Sequence, residues 1–275
     1  MNAYRRALPP LDAADPAPAV DTARSPPLQR DLIASLEKGL AVIGAFDQER
    51  PRLTISEVAQ RCALTRAAAR RYLITLEHLG FVSCDRKMYA LTAKVLRLGQ
   101  SYMHSSRLPR IVQPELHRLA HTLKEASSAG VLDDGDVLCI AADSAGRVVS
   151  STLQPGTRVP AYCTANGRVL LAALPPAELE AWLAGRTLQP LTPQTLTDPA
   201  QLRAEIARVR EQGFAVVDQE LEPGLRTISV PLRNFRGEVV AALNISVHAS
   251  RVATEELSDH LPALRHAQAQ LRGLL

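Results

Sequence analysis

Residues 54 to 80 carry the start signals of two helices that lie only a short distance apart. Thr54-Ile55-Ser56-Glu57 is a capping box, in which the Thr hydroxyl and the Glu carboxylate each accept a backbone N–H that a helix start leaves unpaired. Thr65 can cap a second helix after the link Ala63-Leu64, and Gly80 can end it. The inner face of this second helix consists of Ala69, Tyr72, Leu73, Leu76 and Leu79. Two helices joined by a tight turn predict a helix-turn-helix.

Further elements flank this pair. Ser35 is a candidate N-cap for an earlier helix, which Pro51 prevents from continuing. The apolar residues of that helix follow Ser35 at helical spacing: Leu36, Leu40, Ile43 and Phe46. After Gly80, the runs 81–83 and 88–91 flank Cys84-Asp85-Arg86-Lys87 and predict two short strands with a basic tip, which form a wing.

The outer face of the helix that follows Thr65 is basic. Between residues 61 and 110, ten basic residues stand against two acidic ones, a net of +8, so the rest of the chain contributes −4 to a total of +4. A polyanion-binding unit joined to a mildly acidic partner has this asymmetry. We therefore expect the helix to enter the major groove of DNA and the hairpin to follow the phosphate backbone. The predicted contacts are Thr54, Thr65, Arg66, Ala67, Arg70, Arg71, Thr75, Arg86 and Lys87.

Two alternatives to DNA binding remain at this point. The basic residues could form a solvated surface, and the wing could contact another protein. A loss of DNA affinity on raising the salt concentration separates a DNA-binding wing from one that binds protein.

The length of 275 residues exceeds the usual size of one domain, so two folded units are expected. Residues 1–28 contain six prolines and few large apolar residues, which predicts a disordered tail. We place the winged helix-turn-helix at 29–91, a linker helix at 92–108 and a second domain at 109–275.

Short apolar runs and helical segments alternate in the second domain. The pattern predicts strands at 129–132, 137–141, 148–153, 214–218, 227–232 and 239–247, and helices at about 165–173, 176–183, 199–211 and 254–274. Asp134-Gly135 and Arg236-Gly237 are hairpin signals, which favour antiparallel pairing. The expected fold class is α+β, with helices on the faces of a central sheet.

Polar residues on the last strand predict a small-molecule site. Asn244 and Ser246 are two residues apart, so they share one face of the strand, opposite Ile245. The helix start near Asn166 offers unpaired backbone N–H groups that can bind a carboxylate. The alternative is that these side chains bond only to the backbone and to one another.

Two arginines are further candidates for binding an acidic ligand. Arg158 and Arg226 carry the required charge. Arg226 can equally form a structural ion pair with Asp218 or Glu220, and the sequence leaves both readings open.

Enzymatic and metal-binding roles find little support in the sequence. Cys62, Cys84, Cys139 and Cys163 form no C-x-x-C pair and have no histidine at metal-ligand spacing from them, so we expect reduced thiols, no metal and no cofactor. A hydrolase built on Cys163 and a histidine is the enzymatic alternative. The chain has no G-x-S-x-G elbow and no phosphate-binding glycine loop, so we expect no enzyme. The lack of long apolar runs predicts a cytoplasmic protein.

Four segments resemble the IclR family of bacterial regulators, and the resemblance extends over about residues 35–252. The segments are SLEKGLAVI at 35–43, PAYCTANGRVLLA at 160–172, GFAVVDQE at 213–220 and GLRTISVP at 224–231. The form PAYCT, together with NISVH at 244–248, is most similar to the branch that governs protocatechuate, para-hydroxybenzoate and β-ketoadipate catabolism.

This resemblance implies a winged helix-turn-helix, a helical linker and a GAF-like effector-binding domain. It also implies homodimers that pair into tetramers on operator DNA, and a small aromatic or dicarboxylic acid as effector. RNA polymerase is an expected partner at the promoter, whether the protein is an activator or a repressor. The predicted effector-binding residues are Tyr162, Thr164, Ala165, Asn166, Leu225, Thr227, Asn244 and Ser246.

Overall fold

The computed structural model describes residues 31–47, 49–146 and 154–275. The tail expected at 1–28 and the strand expected at 148–153 therefore lie outside the described residues. The chain divides into two compact units between Val95 and Leu96. Across the described ranges, no helix combines the length and the apolar character that a membrane span requires.

The first unit contains three helices followed by a hairpin. The elements are α1 (Ala34–Gly44), α2 (Ile55–Arg61), α3 (Arg66–His78), β1 (Val82–Asp85), β2 (Met88–Leu91) and a 3-10 turn at Ala93–Val95. The capping box of α2 is formed: Thr54 Oγ1 accepts the Glu57 N–H, and Glu57 Oε2 accepts the Thr54 N–H at 2.7 Å. This N–H bond is the main reason that the pKa of Glu57 lies below its ordinary value. Thr65 Oγ1 accepts the Ala68 N–H and caps α3.

Two local details differ from the sequence-based expectation. Ser35 is not the N-cap of α1, because the helix starts after Ile33, which provides no side-chain cap, and it ends at Gly44 before Phe46. The wing is closed by the two-residue turn Arg86-Lys87, so its first strand pairs as far as Asp85 instead of ending at residue 83.

A small core fixes α3 within this unit. Val42, Val58, Ala69, Leu73 and Tyr89 pack together in it. At the C-terminal end of α3, the Lys94 ammonium donates to the Leu79 carbonyl at 2.6 Å, where the helix dipole favours a positive charge. The helix therefore has both ends capped.

The second unit is an α+β domain, which confirms the predicted fold class. Its elements are α4 (Leu96–Ser105), α5 (Arg107–Leu123), β3 (Ala126–Asp133), β4 (Asp136–Asp143), β5 (Arg158–Pro160), α6 (Ala165–Ala173), α7 (Pro176–Ala184), α8 (Pro199–Gln212), β6 (Ala215–Asp218), β7 (Leu225–Arg233), β8 (Val239–His248) and α9 (Leu261–Arg272). The sheet order is β5-β4-β3-β8-β7-β6, and neighbouring strands are antiparallel.

The expected helix at 254–274 is divided. A 3-10 segment, Glu255–His260, precedes α9. Pro262 lacks the N–H that an α-helix would pair with the carbonyl of Ser258, so a continuous α-helix cannot pass through this point.

The sheet separates two hydrophobic cores. On β8, Leu243, Ile245 and Val247 belong to the core that α5 and α9 cover. Ala242 belongs to the core that contains residues of α6 and α8. Because side chains alternate along a strand, Asn244 and Ser246 share this second face, as the sequence predicts.

Helix α6 lies very close to the chain before it, at a place where only glycine fits. Thr164 caps the helix by accepting the Gly167 N–H at 3.1 Å. A Cβ added to Gly167 would lie 2.0 Å from the carbonyl oxygen of Ala161 and 2.4 Å from its Cα. Both contacts are with backbone, so rotation of a side chain cannot relieve them.

Gly167→Ala should therefore destabilise the second unit by at least about 2 kcal/mol, because overpacking usually costs about 1 to 3 kcal/mol and this contact involves backbone. Urea unfolding followed by circular dichroism measures the effect. Gly273→Ala is the matched control, since a Cβ there meets nothing within 4 Å. Equal stability of the two variants would contradict the close packing of α6.

Candidate functional site

The outer face of α3 presents free positive charge. Arg66, Arg70 and Arg71 are exposed, as are Ala67 and Thr75. Within the part of the chain that the structure describes, none of the three arginines forms an ion pair. Their guanidinium groups are therefore available to a negatively charged partner.

The threonines predicted to contact DNA also have structural roles. Thr54 and Thr65 accept the N–H groups that cap α2 and α3. Thr75 Oγ1 donates to the Arg71 carbonyl at 2.8 Å. Each of these threonine hydroxyls already makes a hydrogen bond inside the unit. The arginines are therefore the stronger candidates for sequence recognition.

The wing tip places two cationic residues in a strained backbone conformation. Arg86 has a φ of 48° and Lys87 a φ of 68°, the left-handed region that glycine and asparagine occupy most easily in two-residue hairpin turns. Both side chains are exposed. The tip therefore presents two positive charges at positions where turn geometry favours other residues.

A cavity of the second unit lies between α6 and the sheet. The space that the centre of a water molecule can reach is about 30 Å³, room for only a few waters. An aromatic acid is larger than this, so the walls must move to admit one. The lining residues are Ser128, Val137, Cys139, Val159, Cys163, Thr164, Ala165, Asn166, Val217, Leu221, Leu225, Thr227 and Asn244.

Polar groups from three adjacent strands and from α6 meet at this cavity. Asn244 Oδ1 accepts the Ser128 N–H at 2.9 Å and the Ser128 hydroxyl at 2.8 Å. Because a backbone N–H requires an acceptor, the amide oxygen of Asn244 must face Ser128. The amide nitrogen therefore points away from Ser128, and its contact is Ser246 Oγ at 3.5 Å. Asn166 Oδ1 accepts the Ser229 hydroxyl at 2.7 Å.

Several donors at the cavity are left without acceptors. The Asn166 amide nitrogen and the Thr227 hydroxyl have no hydrogen-bond partner within the described ranges, and both residues line the cavity. The backbone N–H groups of Ala165 and Asn166, at the start of α6, likewise have no acceptor among the residues described. Unpaired donors next to a helix N-terminus favour an anionic ligand.

Six of the predicted effector-binding residues line this cavity, and two do not. Tyr162 lines a separate surface groove, and its hydroxyl donates to the Gln189 carbonyl at 2.7 Å. Ser246 is fully buried beside Asn244, outside the lining. Sequence reasoning missed Ser128, because the strand was predicted to begin at residue 129, whereas β3 begins at Ala126.

The two arginines considered as ligand partners have other roles. The Arg158 guanidinium bonds to Asp133 on the exposed β3–β4 hairpin. Arg226 pairs with Asp218 at 2.7 Å and donates to two backbone carbonyls, which favours the structural reading. Among the described residues, no charged side chain lines the cavity.

The cavity's two cysteines are poor nucleophiles. Burial raises the pKa of the Cys139 thiol to about 11 and that of Cys163 to about 12. The hydrogen-bond contact of Cys163 Sγ is the Pro160 carbonyl at 3.7 Å. These protonated thiols give no support to the hydrolase alternative.

A buried ion pair that the sequence did not reveal braces α6. Arg168 is 3% exposed, and its guanidinium donates to Glu220 Oε2 at 2.6 Å and to the Tyr162 carbonyl at 3.0 Å. Glu220 Oε2 also accepts the Leu196 N–H at 2.9 Å. The pair ties α6 to the loop that follows β6, next to the cavity wall at Leu221.

Comparison with known proteins gives matches over both units. Residues 35–86 match the IclR helix-turn-helix domain, and residues 100–272 match the family described as bacterial transcriptional regulator IclR C-terminal. The Pca regulon regulatory protein of Pseudomonas putida is 43% identical over 96% of this chain and 91% of its own.

Solved structures show the same architecture. A transcriptional regulator from Rhodococcus sp. RHA1 is 45% identical with a TM-score of 0.74, over 88% of this chain and 97% of its own. A double mutant of the PobR inducer-binding domain from Acinetobacter, solved as a complex with 3-hydroxybenzoic acid, is 32% identical with a TM-score of 0.59, over 62% of this chain and 100% of its own. The chain therefore belongs to the IclR family of DNA-binding bacterial transcriptional regulators.

Proposed function

We propose that this protein controls genes of aromatic acid catabolism in the cytoplasm and that a small aromatic or dicarboxylic acid, bound in the cavity beneath α6, sets its activity on DNA. The observation that carries the proposal is the group of unpaired donors at the cavity, on Asn166, Thr227 and the start of α6. The names of two relatives support it, since one is a Pca regulon regulatory protein and the other, as a double mutant of its inducer-binding domain, forms a complex with 3-hydroxybenzoic acid.

The chemistry of the cavity suits a carboxylate attached to an apolar body. Neutral N–H and O–H donors can bind the carboxylate without a buried arginine, whose desolvation is costly. Val137, Val159, Val217 and Leu221 supply apolar walls. Because the cavity is small, a bound acid must favour an arrangement of the domain in which the cavity is wider. A ligand regulates a protein when it binds one of two arrangements more tightly than the other.

Replacing Thr227 tests the ligand site with little disturbance of the fold, because its hydroxyl has no partner within the described ranges and valine has the same shape. We expect Thr227→Val to weaken binding of 3-hydroxybenzoate or β-ketoadipate, whichever the protein binds, by about 1.5 to 3 kcal/mol, the range for a hydrogen bond to a charged group. Isothermal titration calorimetry measures the change. Asn244→Ala should weaken binding too, but it also leaves the Ser128 N–H unpaired and lowers stability.

Ser246→Ala is the matched control for this experiment. Its hydroxyl is buried on the same face of β8 but lies outside the cavity lining, so its effect on ligand affinity should be the smallest of the three. Wild-type affinity in both Thr227→Val and Asn244→Ala would show that the polar groups serve only the structure.

The same proposal assigns sequence recognition to α3 and general phosphate contact to the wing. Arg70→Ala or Arg71→Ala should weaken operator binding by about 1 to 3 kcal/mol and relax the base preference at one position. Lys87→Ala should weaken binding to all sequences alike. It should also reduce the slope of log affinity against log salt concentration by about 1. Fluorescence anisotropy with operator and scrambled duplexes over a salt series measures both effects.

Arg203→Ala is the control for charge, since it removes an exposed arginine from the second unit. Operator affinity of the Arg70→Ala, Arg71→Ala double variant equal to that of wild type would refute this placement. DNA binding that does not respond to salt would favour a wing that binds protein.

We also propose a homodimer that uses α4, with a tetramer and contacts to RNA polymerase forming at the promoter. One recognition helix covers few base pairs, so two linked half-sites raise affinity. On α4, Leu98 and Tyr102 are one turn apart and are 49% and 43% exposed. A face of this kind is typical of a protein interface.

Light scattering at micromolar concentration should therefore give the mass of a dimer. Leu98→Glu combined with Tyr102→Glu should shift the protein to a monomer, because two buried charges at an interface are unfavourable. Gln100→Glu changes charge on another face of the same helix and should leave the dimer intact. A monomeric wild type, with and without DNA, would rule out the dimer.

A further inference from the structure

Two histidines and an aspartate, residue types that can ligate a metal, lie together in the second unit on the face of the sheet opposite the cavity lining. His117 and His121 are four residues apart on α5, so they lie one above the other on the helix surface. Asp143 is the last residue of β4. Ligand atoms from these three residues all lie within 4.8 Å of one another. Two histidines four residues apart on a helix are a common metal-ligand spacing. The expectation of no metal site did not consider this pair.

The contacts of this cluster fix its acidic member. Asp143 Oδ1 accepts the Ala145 N–H at 2.8 Å, and Asp143 Oδ2 lies 2.9 Å from His117 Nδ1. One carboxylate oxygen is therefore held by backbone and the other is directed at the histidines. Such a bond to a ligating carboxylate is the usual way that a protein orients it toward a metal.

The helix and the strand are also joined next to the cluster. Gln113, one turn before His117, donates from its amide nitrogen to the Ala142 carbonyl at 3.1 Å. This bond holds α5 beside the end of β4 without help from the histidines. The backbone that carries the three side chains is thus positioned in advance.

The side chains have the freedom that coordination requires. A tetrahedral zinc site with bonds of about 2.0 to 2.1 Å has ligand atoms about 3.3 Å apart. The histidine rings have centroids 4.1 Å apart, and the His117 side chain is 61% exposed. His121 has no hydrogen-bond partner within the described residues. Small rotations of exposed rings are enough to bring the ligand atoms together.

We infer that His117, His121 and Asp143 bind one divalent metal ion of the zinc class, with a solvent molecule completing the coordination. Two imidazoles and one carboxylate suit zinc, nickel and cobalt better than calcium or magnesium, which prefer oxygen ligands alone. The bound ion joins the end of β4 to α5. It lies apart from the effector cavity, whose lining shares none of these residues.

The test uses the full-length protein without a histidine tag, stripped of metal with a chelator and titrated with Co²⁺. Visible absorption should saturate at one equivalent, without the near-ultraviolet charge-transfer band that thiolate ligands produce. His121→Ala and His117→Ala should each weaken Co²⁺ binding at least about tenfold. Zn²⁺ should displace Co²⁺ and raise the melting temperature of the wild type.

His266→Ala is the matched control, since it removes an exposed histidine from another helix of the same unit. It should bind Co²⁺ as the wild type does. His121→Ala breaks no hydrogen bond among the described residues and should keep its fold, which a thermal melt in the absence of metal checks. Absence of saturable binding, a thiolate band, or unchanged affinity in His121→Ala would each overturn the proposal and leave His117 and Asp143 as a structural pair.

Discussion

The proposed effector site depends on how closely α6 approaches the chain before it. Gly167 lies against the backbone of Ala161, and this contact sets the first turn of α6, which lines the cavity through Ala165 and Asn166. Arg168, one residue further on, fixes the same helix to Glu220. Gly167 allows α6 to touch the backbone of Ala161. The next residue, Arg168, restricts movement of the helix through its ion pair with Glu220. The helix start that favours an anion is therefore held at the sheet by packing rather than by a ligand.

Burying polar groups beneath α6 is unfavourable unless they are paired. Asn244 bonds to Ser128 on the neighbouring strand, and Asn166 bonds to Ser229. Each asparagine uses its oxygen for structure, and among the described residues neither amide nitrogen has an acceptor closer than 3.5 Å. Because the oxygen and the nitrogen of one amide can have different partners, structural bonding of these side chains is compatible with the proposed ligand binding.

Local signals predicted the first unit well, because capping at Thr54 and Thr65 acts over three residues. The strand faces of Asn244 and Ser246 also followed from alternation alone. The cavity itself could not be predicted in full, since Ser128 and Asn244 meet only through β3–β8 pairing across 116 residues. Tyr162 was predicted to be in the site together with the loop up to Asn166, yet it lines another groove. Glu220 was considered as a partner of Arg226, and its pairing with Arg168 gave no sequence signal because it depends on tertiary structure.

Alternation along β8 has a consequence for how such a regulator can change its specificity. Leu243, Ile245 and Val247 hold the core against α5 and α9, whereas Asn244 lines the cavity on the other face. If the proposed site is correct, substitutions at 244, and at 227 on the neighbouring strand, would alter which acid is recognised while the opposite core keeps its shape. The residues on the core face and those on the cavity face of β8 can therefore change in sequence at different rates during evolution. A biosensor for a new acid could be selected from this scaffold by varying one face of two strands.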